Sequence, residues 1–153
     1  IKYKIKVKLL ILGSGIEQNN LKNYIKENNL SNNVKIKTFI DNPYPYILKS
    51  DLFILSSKYE GLPNVLLEAA VLKKFIISSN CPTGPKEILL NGKGGYLFRI
   101  GDYRKLSKLI LLFSKKRNQL KNKINYTYKS LVRYDLKKNL MKYYMLLIPF
   151  LRS

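Results

Sequence analysis

The stretch from Ser56 to Ala70, SSKYEGLPNVLLEAA, constrains the fold more than any other part of this sequence. The preceding Asp51 to Leu55, DLFIL, reads as a short buried strand, and Gly61, Leu62 and Pro63 then form a turn that opens an apolar helix. Proline supports that start, because its fixed φ suits the first helical position and because it keeps Leu62 out of helical geometry. The amides of Asn64 and Val65 then lack intrahelical acceptors and stand at the positive end of the helix dipole, a setting that favours phosphate. Glu68 falls four residues after Asn64, on the same face and one turn deeper, where a carboxylate can accept hydrogen bonds from sugar or ribose hydroxyls.

The rest of the chain repeats this alternation of strand and helix. Ile1 to Lys8 alternates apolar residues with lysine and runs into the apolar Leu9 to Leu12, so a strand is expected up to Gly13-Ser14-Gly15. A helix is expected from Ile16 to Asn28, a second strand from Val34 to Ile40, and a short helix from Tyr46 to Lys49. The helix that starts at Pro63 should reach about Leu72, and Phe75 to Ser78 should form the next strand. Cys81-Pro82-Thr83-Gly84-Pro85 is a second rigid loop that leads into a helix from Lys86 to Leu90. Asn91 to Gly95 is a glycine-rich turn into a strand from Tyr96 to Arg99. Helices should fill the remainder, from Asp102 to Lys115 and then two more through about Leu147. No repeat or low-complexity linker interrupts the 153 residues, so a single domain with a helical C-terminal segment from about residue 102 is expected. Strands separated by helices at this spacing imply a parallel sheet covered on both faces, with ligands at the carboxyl ends of the strands. Three of those ends carry Gly/Pro loops, expected to line one edge. The glycines after the first strand match the dinucleotide fingerprint only in part, because Gln18 stands where a third glycine would fall.

Composition removes several chemistries. The chain has no histidine, which excludes Ser-His-Asp, Cys-His and His-metal sites, and its single cysteine, Cys81, excludes an internal disulfide. No apolar run reaches the ~20 residues that a spanning helix needs, and no signal peptide stands at the start. Lysine and arginine number 29 against 9 acidic residues, a net charge of +20. Nucleic acid, anionic lipid or phosphorylated substrates would suit that charge, and a genome-wide bias toward Lys, Asn, Ile and Tyr would produce it equally well.

Taken in order, LLILGSG, VKIKTF, SDLFILSSKYEGLPNVLLEAA, CPTGPKEILLNGKGGYLF and Gly101-Asp102 before a helix resemble the retaining glycosyltransferases of family 4, or group 1, with the GT-B fold. Glu60 and Glu68 bracket seven residues, as in the E-x7-E motif of that family. The resemblance covers about two thirds of the chain, Lys8 to Phe113. It implies an α/β, Rossmann-like parallel sheet with helices on both faces, the C-terminal, nucleotide-sugar-binding half of such an enzyme. Glu60 would lie near the donor sugar as the catalytic residue, and Glu68 would bind the ribose hydroxyls. The amides after Gly61, through Leu62, Pro63 and Asn64, would face the donor diphosphate or sugar. Phe39 and Ile40 would lie near the base, and Gly13, Gly84 and Lys86 are further expected donor-binding residues, Lys86 within reach of a phosphate from its loop. The implied reaction is transfer of a hexosyl group, with retention, from a nucleotide-diphosphate sugar to a glycan or lipid-linked acceptor in cell-surface polysaccharide synthesis. A UDP sugar is the favoured donor substrate, with no cofactor and no metal. The family's acceptor-binding N-terminal half is not in this sequence, and only Ile1 to Lys8 precede Leu9, where the upstream Arg and Lys that bind the diphosphate would be expected.

Three readings follow. The first is a donor-binding domain, the second a non-catalytic remnant or partner subunit that needs an N-terminal half on another polypeptide, and the third a basic nucleic-acid-binding module. No recognised nucleic-acid motif supports the third. Taken alone, Gly61 and Gly84 serve turns as readily as they admit a ligand, and with 29 basic residues present Lys86 and Lys58 are more often surface charges than phosphate ligands. Cys81 lacks a visible base or metal partner, and Tyr126, Tyr128, Tyr134, Tyr143 and Tyr144 are expected to pack helices into the core. Lys137, Lys138 and Lys142 beside Met145 to Leu151 suit either an anionic membrane surface or the absent half, so a cytoplasmic protein, peripheral at the inner face of the membrane, is expected.

Overall fold

The computed structural model describes residues 5–151, which fall into two compact units, Ile1–Tyr46 and Ile47–Ser153. In the first, β1 (Leu9–Leu12) pairs in parallel with β2 (Val34–Lys37), and α1 (Gln18–Glu27) connects them. The lysine-alternating approach does not extend β1. Ile5 to Lys8 is not a strand because the partner strand only begins at Val34: Leu9 N–H donates to the Asn33 carbonyl (2.8 Å), and the Asn33 side-chain amide caps the Val7 carbonyl (2.9 Å). Ile1 to Lys4 lie outside the described residues. β2 likewise ends at Lys37, opposite Leu12, so Thr38 to Ile40 have no ladder to join.

The second unit holds a three-stranded parallel sheet in the order β3 (Leu52–Leu55), β4 (Phe75–Ser79), β5 (Tyr96–Phe98). Every residue of β4 is buried, as a central parallel strand requires. Its two faces feed two cores. Ile76 packs with Leu66, Ala69 and Ala70 of α3 (Asn64–Val71) and with Ile88 and Leu89 at the end of α4 (Pro85–Ile88). Phe75 and Ile77 pack on the other face with Phe98 and with Leu109 and Phe113 of α5 (Tyr103–Lys116). The Phe75 ring stacks on Phe113 at 5.5 Å and meets Tyr96 edge-on at 4.9 Å. The protein is therefore α/β, with parallel strands flanked by helices. α2 (Tyr44–Lys49) starts two residues earlier than the sequence suggests.

Helix ends follow local chemistry. Asp102 is the N-cap of α5, and its carboxylate accepts from the Lys105 amide (2.8 Å). α3 ends in a Schellman motif: Lys74 N–H donates to the Ala69 carbonyl and Lys73 N–H to that of Ala70, with Lys73 at φ 52 where glycine is usual. The glycine-rich stretch forms a short 3-10 turn, Leu90–Gly92, and then docks on α6 (Lys121–Ser130). A Cβ on Gly94 would collide with Thr127 Oγ1, which itself donates to the Gly94 carbonyl (2.7 Å).

α7 (Leu136–Leu151) is longer than the sequence suggests and almost wholly exposed, Leu146 at 67% and Phe150 at 78%. The tyrosines also depart from expectation. They lie in helical segments, but Tyr126, Tyr128, Tyr143 and Tyr144 are exposed and only Tyr134 is half-buried. Helical periodicity reports an amphipathic face without showing what covers it.

Candidate functional site

The described part of the second unit brings two loops together at the carboxyl ends of β3 and β4. Ser79 Oγ, at the end of β4, donates to the Ser57 carbonyl just beyond β3 (2.6 Å), pinning the start of the Ser56 to Pro63 loop to the central strand. Asn80 N–H donates to the Phe98 carbonyl (2.8 Å), which ties the start of the next loop to β5. The two loops then touch. Thr83 Oγ1 donates to the Glu60 carbonyl. Gly84, at φ +86, is buried, and a Cβ there would collide with Pro63 Cδ and lie 2.6 Å from the Gly61 carbonyl oxygen. Gly84 is thus required by conformation and by close approach together.

Pro63 is the N-cap of α3, one residue before the position expected for it, at φ -73 and ψ 92. This extended ψ turns the chain into the helix, and the Leu66 amide closes the first turn on the Pro63 carbonyl (2.9 Å). The Asn64 and Val65 amides are the first two helical donors and have no acceptor within the helix. Asn64 and Val65 are exposed, as are Gly61 and Leu62, and a Cβ on Gly61 would meet nothing within 4 Å. Glu60 and Glu68 are both half-buried, Glu60 beside the turn and Glu68 within α3. An open, backbone-lined turn flanked by two carboxylates can take an anion at its amides and hydroxyl groups at its carboxylates.

Pro85 opens α4 at its first position, and Lys86 follows on the exposed side of the chain. α4 is held from the C-terminal segment: Tyr134 Oη donates to Glu87 Oε1 (2.9 Å) and Arg133 donates to the Glu87 carbonyl (3.2 Å). Burial, then the hydrogen bond to Glu87 and its negative charge, push the Tyr134 phenol up to about 12. The groups that Thr83 and Tyr134 hold, at Glu60 and Glu87, lie 23 and 47 residues away in the chain, so neither contact is local in the sequence.

The remaining expected site residues belong to the first unit. Gly13 follows β1 at φ +134, and its amide donates to the Lys37 carbonyl (2.9 Å). Phe39 is 79% exposed and Ile40 half-buried, both beyond the end of β2. Cys81 is buried, 3.6 Å from Ser79 Oγ. Among the described residues no cluster of three His, Cys, Asp or Glu side chains is placed to hold a metal ion.

Residues 1–130 match the family profile described as "Glycosyl transferases group 1". The chain belongs to that family. Among group 1 relatives, an uncharacterized glycosyltransferase of Methanocaldococcus jannaschii is 45% identical over 82 residues, 54% of this chain and 20% of that protein. The Campylobacter jejuni N-acetylgalactosamine-N,N'-diacetylbacillosaminyl-diphospho-undecaprenol 4-alpha-N-acetylgalactosaminyltransferase is 29% identical over 143 residues, 92% of this chain and 39% of that protein. The chain thus spans 20% to 39% of the length of these two relatives. The crystal structure of Anabaena Alr3699/HepE in complex with UDP superposes with a TM-score of 0.83 at 20% identity, over 94% of this chain and 41% of that one. TarM superposes with a TM-score of 0.82, also at 20% identity, over 92% of this chain and 28% of its own. The fold is that of GT-B glycosyltransferases.

Proposed function

We propose that this chain is the donor-binding domain of a retaining hexosyltransferase that uses a nucleotide-diphosphate sugar, a UDP sugar in first place. The observation that carries the reading is the pair of interlocked loops: Glu60 and Glu68 flank an open turn whose free amides begin α3, in a chain of the group 1 family. In this assignment the Leu62 and Asn64 amides and the dipole of α3 receive the negative charge of the diphosphate, which grows as the glycosidic bond breaks, while the Gly61 amide faces the sugar. Pro63 has no N–H to offer and serves by setting the turn. Glu68 accepts from the ribose hydroxyls, and Glu60 lies at the sugar, where a carboxylate stabilises positive charge developing at the anomeric carbon. Gly84 holds the turn from behind, and Lys86 adds a cation toward the phosphates. The HepE structures with UDP and with UDP-glucose support the choice of donor.

Titration calorimetry of the folded chain with a panel of UDP and GDP sugars tests this. Binding of a UDP sugar is expected, with Glu68→Ala weakening it about tenfold or more through loss of charged hydrogen bonds. A folded sample that takes up no nucleotide sugar would refute the reading.

The acceptor is a glycan or a lipid-linked sugar in the synthesis of a surface polysaccharide. The Campylobacter relative is named for a diphospho-undecaprenol acceptor, and others for lipopolysaccharide core and capsular polysaccharide synthesis. α7 suits work at a membrane. It carries Lys137, Lys138 and Lys142, no acidic residue, and an exposed series of Leu, Met, Tyr and Phe, while no described helix is long and apolar enough to cross a bilayer. Flotation with liposomes is expected to depend on anionic lipid. Retention on neutral liposomes alone, or on none, would leave α7 to a protein partner.

A further inference from the structure

We infer that Thr83 is a positioning residue for the donor sugar: its hydroxyl, bonded to the Glu60 carbonyl, fixes the peptide that carries Glu60 and turns the next amide toward the ligand. The inference rests on the donor-site reading above and adds to it a residue outside the E-x7-E motif.

The argument is one of peptide geometry. A trans peptide is planar, so its C=O and N–H point in opposite directions. Thr83 Oγ1 holds the Glu60 carbonyl toward the Pro82 to Pro85 loop. The N–H of Gly61, on the far side of the same plane, must therefore point away from that loop. A Cβ on Gly61 would meet nothing within 4 Å, so the turn is open around this residue. The Gly61 carbonyl is engaged by the same loop, since it sits against Gly84 at the distance where a Cβ would intrude. Two successive carbonyls thus back onto Thr83 and Gly84. The residues in front of them, Gly61 and Leu62, are exposed.

The two contacts differ in kind. Gly84 excludes alternatives by close packing, whereas Thr83 selects one orientation through a single directional hydrogen bond. Without that bond the Glu60–Gly61 peptide can rotate, which misdirects both the amide of Gly61 and the side chain of Glu60. In the donor-site assignment these groups meet the sugar, while Glu68, anchored in α3 one turn further on, meets the ribose. Thr83 should therefore govern recognition of the sugar and leave that of the nucleotide untouched.

The experiment compares UDP with the UDP sugar that binds tightest among UDP-glucose, UDP-galactose and UDP-N-acetylglucosamine, by calorimetry on the full chain. Thr83→Val removes the hydroxyl at nearly constant shape, and Thr83→Ser restores it. The ratio of UDP-sugar affinity to UDP affinity is expected to fall about five- to tenfold in T83V, with UDP affinity and melting temperature unchanged, and to return toward the wild-type ratio in T83S. An unchanged ratio in T83V overturns the inference. So does an equal loss for both ligands, or a loss that T83S fails to rescue, because either marks a general role in loop structure. Wild-type chain that binds neither ligand overturns the donor-site reading itself, and the inference with it.

Discussion

The two units solve the same problem, a parallel strand followed by a glycine turn and a helix, with unequal completeness. In the first, no described residue is buried: Leu9, Leu10 and Leu12 of β1 are 43%, 37% and 36% exposed, and α1 contributes no buried side chain. In the second, β4 is inaccessible along its length and is covered on one face by α3 and on the other by α5. A two-stranded parallel sheet under one helix has little apolar area to remove from water, whereas a central strand with two covered faces makes a core. The candidate turn with Glu60 stands on the second kind of support, and Gly13 on the first. Rigid support suits a site that must hold amides in place while charge develops.

Core truncation should separate the units most sharply. Leu66→Ala or Ile77→Ala, at fully buried positions, is expected to cost ~2–5 kcal/mol in denaturant unfolding, and Leu10→Ala in β1 about 1 kcal/mol or less. Equal costs would mean that β1 is buried in solution as deeply as β4.

The glycines extend the contrast. Gly84→Ala combines a disfavoured φ with a collision at Pro63 and is expected to cost about 2–4 kcal/mol. Gly13→Ala meets only the backbone penalty at φ +134, because nothing lies within 4 Å of its Cβ position, and should cost about 1–2 kcal/mol. If the two substitutions cost the same, close packing between the loops of the second unit is not what makes Gly84 necessary.

Left-handed residues give a smaller effect of opposite sign. Lys73 pays for φ 52 at the end of α3, and glycine should relieve it. Part of that relief is offset by losing the Lys73 ammonium from the Tyr128 ring, 4.6 Å from its centroid, so Lys73→Gly is expected to stabilise by about 0.5 kcal/mol. Asn29 in the first unit, at φ 55, should gain less from the same change, because asparagine tolerates this conformation.

The smallest effect concerns pH. The Tyr134 phenol is raised from 10.0 to about 12 in the folded protein, so its protonated form is favoured by folding. Its contribution is fully present below pH 10, where the phenol is protonated in both states, and is lost as pH rises through about 12. Wild type should therefore lose more stability than Tyr134→Phe over that interval, and parallel unfolding curves for the two would exclude the effect.

Much of this was legible from local chemistry. Pro63, Pro85 and Asp102 mark helix starts within a residue of where they occur, and the apolar runs of β3, β4 and β5 end close to their glycine or serine boundaries. What could not be read were pairings. Lys6 and Lys8 alternate with Ile5 and Val7 as a strand would, yet no partner lies opposite them. The tyrosines of α6 and α7 lie in helices, as expected, and remain exposed. The hydrogen bond of the Thr83 hydroxyl could not be read either, since it depends on where a loop 23 residues away has been brought. Periodicity encodes a preference for burial, and only the assembled chain decides which preferences are met.

The interlock of Gly94 with Thr127 has an evolutionary consequence. The hydroxyl of one occupies the space that a side chain at the other would need, across 33 residues of sequence. A lineage that acquires a larger residue at position 94 should carry a smaller one at 127, so the two sites should covary among relatives as a single character. Their history would then record when this helix became fixed to its loop.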